Sequence, residues 1–301
     1  MNESAGQPAP SPARPPSAAR PGRRPFFLLL LFSLILPAGA QEDAIAPAPP
    51  LLPAPGAENA AAAALLGDGS EGTEAPADGA ALLAECAARM PCERVMLAGT
   101  LNMRRRYGVS IRECAFEVAA DWRTPDTPAD YRLTDPETGE TLLAARSFRD
   151  PARGLVVERT DGGPAPASPA EPILGTDISW LDVGIDFVSW RNPALAGEDR
   201  LKGRVCDLLD VEPPAPLPGC AKARLWIDRA QKVVMQAAQL DENGREVRKL
   251  WVRAVQKVDG HWIFKDLEVE TPGSGHRTRL HFEHAAFPDS ALRPADGGRR
   301  P

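Results

Sequence analysis

Between Arg94 and His284 the chain is written largely in period two, and that alternation constrains its fold more than any other feature. In RVMLAGTLNMRRR, Val95, Leu97, Leu101 and Met103 fall on one side of an extended chain, with Thr100, Asn102 and Arg104 on the other. In RECAFEVAADW, Cys114, Phe116, Val118, Ala120 and Trp122 alternate with Glu113, Glu117 and Asp121. Successive side chains of a strand point to opposite faces, so this pattern predicts an antiparallel pair with one dry face and one wet face. Strand-like runs follow at DYRLTD, ETLLAARSF and GLVVERT, and a polar loop GGPAPASPAEP comes next. The habit then returns in RVCDLLDV, ARLWID, KVVMQAAQL, EVRKLWVRAV, HWIFKDLEVE and HRTRLHFEH. Asp241-Glu242-Asn243-Gly244 and Val258-Asp259-Gly260 offer the residues that hairpin turns require. About ten short sequential strands with no helices between them predict a mainly β protein, built as a barrel or a strongly curved antiparallel sheet.

The two ends of the chain differ from this middle. Arg20, Arg23 and Arg24 precede FFLLLLFSLIL, and Ala38-Gly39-Ala40 follows it. This is the pattern of a secretory signal peptide over 1–40, cut after Ala40. The apolar run falls short of the ~20 residues that span a bilayer; left uncut, it would act as an anchor. RRPFF also resembles a twin-arginine signal, but the strong apolarity of the run favours general secretion. Residues 41–78 are rich in Ala, Pro and Gly and carry no aromatic residue, which predicts a disordered spacer. A disordered tail is expected over 288–301, leaving one domain at 79–287. The first 40 residues carry four Arg and one Glu, so their removal takes the formal charge from −6 to −9. An exported, periplasmic chain of that charge is a poor ligand for nucleic acid.

Helix is expected in two places only. In DGAALLAECAARMP, Leu82, Leu83, Cys86 and Met90 share a stripe that Pro91 ends. GTDISWLDVGIDFVSW (175–190) fits a short helix capped by Thr176 or Asp177, broken near Gly184 and continued as an extended piece. Its aromatic residues suit a cover over one mouth of a curved sheet. The five cysteines are an odd number, and buried free thiols are preferred to a Cys86–Cys92 loop. Cys206 is expected opposite about Trp226 rather than Cys220, which argues against a bridge there.

The chemistry is sparse. No phosphate loop, GxSxG, HExxH or CxxC is present. His276 and His284 share a strand face but lie roughly 26 Å apart, so no metal site and no cofactor is expected. Asp266, Glu268 and Glu270 read as the wet face of a strand, and Arg104-Arg105-Arg106 as gatekeepers at a hairpin. A hydrolase would need a histidine and a carboxylate from different strands to meet in a cleft.

GTDISWLD, RLWIDRAQKVVMQAAQLDENGREVRKLWV and KVDGHWIFKDLEVETPGSGHRTRLHFE together resemble the bacterial outer membrane lipoprotein-sorting family, which includes the LolA-like periplasmic carrier and its receptor. The resemblance covers about residues 80–286 and involves no catalytic motif. It implies an unclosed β-barrel with a short helical lid, and a non-enzymatic carrier whose apolar interior takes lipoprotein acyl chains or other lipid. Inner- or outer-membrane sorting proteins would be its partners. On this reading Val95, Leu97, Leu101, Met103, Phe116, Val118 and Trp122 line the cavity, and Trp180, Leu181, Phe187 and Trp190 form the lid. The Ala/Pro spacer is foreign to the family's carrier. A solid-cored interaction module of the envelope is the alternative.

Overall fold

The computed structural model describes Pro76, residues 78–105 and residues 108–288. The signal segment with its cleavage after Ala40, the spacer as far as residue 75, and the tail from residue 289 lie outside the described residues. Among the described residues no helix is long and apolar enough to cross a membrane.

Helix α1 (Gly79–Ala88) opens the described chain, with the Asp78 carboxylate accepting from the Ala80 amide. It buries Leu82, Leu83 and Cys86 of the expected stripe, while the fourth member, Met90, lies beyond the helix end and is half-buried. Six strands follow as a meander: β1 (Arg94–Arg105), β2 (Ser110–Asp121), β3 (Ala129–Thr134), β4 (Thr141–Asp150), β5 (Gly154–Arg159) and β6 (Ala165–Ala167). A connection containing the short helix α2 (Trp180–Val183) then leads into seven more strands. These are β7 (Arg191–Leu201), β8 (Arg204–Glu212), β9 (Lys222–Asp228), β10 (Val234–Leu240), β11 (Glu246–Val258), β12 (His261–Glu270) and β13 (His276–Ala286).

All thirteen strands form one antiparallel sheet in the order β6-β5-β4-β3-β2-β1-β13-β12-β11-β10-β9-β8-β7. The first strand of the first meander pairs with the last strand of the second, so β6 and β7 are left as the two edges. The sheet is unclosed. The connection from β6 to β7 must therefore cross from one edge to the other, which makes residues 168–190 a cover by topology. Their apolar side chains enter the same hydrophobic cluster as the inward residues of the sheet and of α1.

Alternation predicted most strands well. In β2, Cys114, Phe116, Val118 and Ala120 are buried while Glu113, Glu117 and Ala119 are exposed. Where β1 meets β13 the register shifts between Ala98 and Gly99, and a Cβ on Gly99 would lie 1.9 Å from the His281 carbonyl oxygen. Only glycine permits that approach. At the β11–β12 turn, Asp259 and Gly260 both have positive φ, as a two-residue hairpin loop requires.

Two strands escaped the sequence reading, and both are edges. β7 is exposed along nearly its whole length and is interrupted by register shifts around Pro193 and Gly197, so it shows no alternation. β6 lies inside the stretch expected to be loop and contains Pro166. Proline and bulges are how sheet edges resist further pairing. β10 departs from alternation in the other direction, since every residue is buried. Its outward Gln236 sits in register with Trp226 on one side and Trp251 on the other, and Lys249 lies over both indoles.

Several local expectations are corrected. Asn102 and Asp266, expected on a wet face, are buried under polar neighbours: Asn102 donates to Glu113 and accepts from Arg104, and Asp266 lies beneath Arg279 and His281. The cap of α2 is Ser179, not Thr176 or Asp177. The chain after Gly184 is not extended: Ile185 is left-handed and Asp186–Ser189 is a 3-10 turn. All five cysteines are free; four are buried and Cys92 is exposed. Cys206 faces Asp228, two positions beyond the expected Trp226.

Candidate functional site

From residue 173 to residue 190 the covering segment is apolar with three acids, and each acid has a separate job. Asp177, fully buried, receives hydrogen bonds from the Thr271 amide (3.1 Å), Ser274 Oγ (3.3 Å) and Thr278 Oγ1 (2.9 Å), and its Oδ2 lies 2.8 Å from His276 Nδ1. The Thr278 hydroxyl oxygen in turn accepts from the Asp177 amide. One carboxylate thus fastens the start of the cover to the β12–β13 hairpin.

Asp182 closes a capping box, its Oδ2 accepting from Ser179 N (2.8 Å) and Ser179 Oγ (2.6 Å). It also meets Arg248 on β11 at 3.5 Å and Gln239 on β10 at 3.4 Å. Burial pushes its carboxyl above the usual range, against the pull of Arg248 and Ser179. Asp186 accepts from Arg149 on β4 (2.8 Å), from Ser189 Oγ (3.1 Å) and from the Trp190 indole nitrogen (3.1 Å). The three acids therefore tie the cover to both halves of the sheet. The sequence showed them only as the charged residues of an apolar stretch; buried acids need partners, but which partners was invisible.

All four expected lid residues are buried, Trp180 and Trp190 to 3% exposure and Leu181 and Phe187 to 1%. Trp180 packs edge-on against Tyr131 of β3, and Phe187 against Trp190, with ring centres 5.2 Å apart in both pairs. Of the seven expected lining residues, Val95, Leu101, Phe116 and Val118 are buried in the same cluster as the cover, and Leu97 and Trp122 pack against it half-buried. Met103 is buried outside that cluster. Phe116 stacks edge-on with Phe282 of β13 at 5.3 Å.

A pocket of about 140 Å³ lies beside the cover, between Leu143, Arg159 and Ala167 of β4 to β6 and residues 171–175, with Trp180 in its wall. None of the seven expected lining residues borders it. Its size matches the ~150 Å³ cavities that hold a benzene ring and falls below the ~300 Å³ at which ordinary ligand sites begin. Leu143 was findable as an inward residue of an alternating strand. Ala167 and Ile173 were not, because the Pro-rich loop carries no period.

Among the described residues two histidine–aspartate pairs occur, His276–Asp177 and His281–Asp266. In the first, Ser274 donates to the aspartate, so the group is a fastening and not a nucleophile aligned on a base.

An unclosed antiparallel sheet covered by one short helical segment is the LolA-like architecture, and solved structures carry the same fold. A DUF1329 family protein from Desulfovibrio piger ATCC 29098 superposes with a TM-score of 0.60 at 17% identity, covering 69% of this chain and 91% of its own. A domain named for outer membrane lipoprotein sorting from Vibrio parahaemolyticus gives 0.60 at 14% identity, with 69% and 92% covered. A LolA superfamily protein from Nitrosomonas europaea gives 0.57 at 14% identity, with 73% and 99% covered. A family model described only as an uncharacterized protein matches residues 164–291. No curated protein matches the chain.

Proposed function

We propose that this chain is an exported, non-enzymatic carrier or binding protein for lipoproteins, serving outer membrane lipoprotein sorting. Acyl chains would enter between the inward face of the sheet and residues 173–190. The observation that carries this reading is the cover itself, an aromatic-rich connection laid across the inward face of an unclosed sheet and fastened by three acids. The fold it shares with a domain named for lipoprotein sorting supports the same reading.

The pocket beside Trp180 is too small for a whole acyl chain, so uptake requires the cover to lift. Each methylene that enters the exposed trough gains about 0.8 kcal/mol, and a chain of a dozen or more offsets the loss of Trp180, Leu181 and Phe187 from the core. Val95, Leu97, Leu101, Phe116, Val118 and Trp122 would then face the ligand, with Met103 at the margin. No cofactor or metal takes part.

Native mass spectrometry of the exported protein, with a fluorescent fatty acid as probe, tests the proposal. Retained lipid and saturable uptake are expected, and Phe116→Ala or Trp180→Ala should weaken uptake about tenfold with the circular dichroism unchanged. Uptake indifferent to both substitutions would remove the lining assignment. Sequencing of the exported amino terminus is expected to begin after Ala40.

A second reading, a solid-cored interaction module of the envelope, is favoured by the near-complete burial of all four cover residues. It predicts a lipid-free mass and partner capture that depends on residues 41–78.

A further inference from the structure

The tip of the β1–β2 hairpin is unlike the rest of the surface. Among the described residues, five large apolar side chains are notably exposed, and two of them, Val109 (62%) and Ile111 (46%), sit two positions apart at this tip. Arg104, Arg105 and Arg112 are near them along the two strands of the hairpin, all exposed. Arg104 donates to the neutral Asn102 (2.9 Å), and none of the three arginines forms an ion pair with an acid among the described residues. The backbone is held by the Arg105 amide on the Val109 carbonyl (2.9 Å) and the Gly108 amide on the Arg105 carbonyl (2.8 Å). The register shift between Met103 and Arg104 leaves Ile111 as the extra residue, and Arg104 and Arg105 stand opposite Arg277 and His276 of β13.

We propose that this tip docks the protein on an anionic phospholipid surface, Val109 and Ile111 entering the interfacial layer and Arg104, Arg105 and Arg112 resting at the phosphates. Scattered single apolar residues on a surface need no explanation, but a pair beside three arginines that make no ion pair with an acid does. The chain carries a formal charge of −6, so a local group of three positive charges orients it tip-first toward a negative surface. A bilayer is favoured over an acidic protein because an exposed apolar pair and exposed arginines lie side by side here, and a fluid interface takes both without a matching shape. The inference is independent of whether acyl chains enter the sheet.

Vesicle sedimentation of the full chain tests it, comparing phosphatidylcholine containing 30% phosphatidylglycerol with phosphatidylcholine alone. Because residues 26–36 are also apolar, the readout is the ratio of each variant to the unmodified protein. Arg104→Glu, Arg105→Glu and Arg112→Glu together should weaken binding to the anionic vesicles by about a hundredfold, near fivefold or more per site. Val109→Ser with Ile111→Ser should weaken it by about tenfold. Both sets lie at exposed positions and should leave the thermal melt unchanged. Equal binding of all three proteins, or an arginine-variant loss that is the same on both vesicle types, overturns the proposal. Capture of polyglutamate by the tip more tightly than of anionic vesicles overturns it in favour of an acidic polypeptide partner.

Discussion

Asp182 lies buried within the covering segment 3.5 Å from Arg248, with 2% of its side chain exposed, while Asp130 lies on the outer face of the sheet 2.7 Å from Arg146, with 59% exposed. Both are aspartate–arginine pairs, and the second has the shorter contact. Yet the first sits where neither charge is well hydrated and every hydrogen bond must come from the protein, and the second competes with water. Buried pairs add little net stability over an apolar filling, but removing one partner is expensive because the other is left uncompensated. Exposed pairs are worth little either way. The inner acids therefore decide where the cover lies, and the outer ones decorate a sheet that already stands.

The largest contrast between inside and outside should appear in thiol chemistry. Burial pushes Cys206 up to about 12 and Cys86 and Cys220 up to about 11, and raises Cys114 as well, whereas Cys92 is exposed. The thiolate is the reactive form. One thiol per chain should react quickly with a maleimide at neutral pH, and mass spectrometry of the digest should locate it at Cys92. Rapid labelling of Cys206 or Cys220 would mean that the interior opens far more readily than its packing suggests.

Replacing Asp177 by Ala comes next. It strands the Thr271 amide, Ser274, His276 and Thr278 at the mouth of the core, and the loss on chemical denaturation should be about 3–5 kcal/mol. Hydrogen exchange should rise in residues 173–190 before it rises in β1 or β13. A uniform rise would make Asp177 part of the general core instead of a fastening of the cover.

Asp182→Asn should show a smaller effect that depends on pH. The folded carboxyl is raised above its unfolded value by burial, so the wild-type residue costs nothing extra where both states are protonated. Its burial becomes a cost as pH rises from the ordinary carboxylate range through the raised value. Relative to the asparagine variant, the natural protein should therefore be most stable in acid and lose ground toward neutral pH. Denaturation at pH 4 and pH 8 reads the difference, and an advantage that grows with pH would contradict the burial argument. Smallest of all is Asp130→Ala, which should leave the melting temperature within about a degree.

Much of this contrast was legible beforehand for the sheet and little of it for the cover. Alternation in β2, β9, β12 and β13 reported which side faced inward, because each such strand is dry on one face. β7 was unreadable for the same reason, since an edge strand exposed almost throughout has no dry face to announce it. β10 was recognised as a strand, but its two faces were not told apart, because it is covered on both sides, inwardly by the connection and outwardly by the indoles of Trp226 and Trp251. In the cover, Trp180, Leu181, Phe187 and Trp190 were recognisable as apolar, but the cap at Ser179, the left-handed Ile185 and the partners of the three acids were not. Those partners come from β4, β10, β11 and the β12–β13 hairpin, as far as 101 residues away in the chain.

The amino-acid sequence by itself determined a mainly β chain, the two hairpin turns read from Asp and Gly, the inward faces of most strands and the greasy character of residues 175–190. Local sterics and period-two burial act over a few residues, so they are written locally. Only the tertiary structure decided that β1 pairs with β13 and leaves β6 and β7 as edges, so that the link between them crosses the inward face. The pairing of first and last strands, like the burial of Asp177, Asp182 and Asp186, depends on groups that meet only when distant segments pack, and no short-range pattern carries that information.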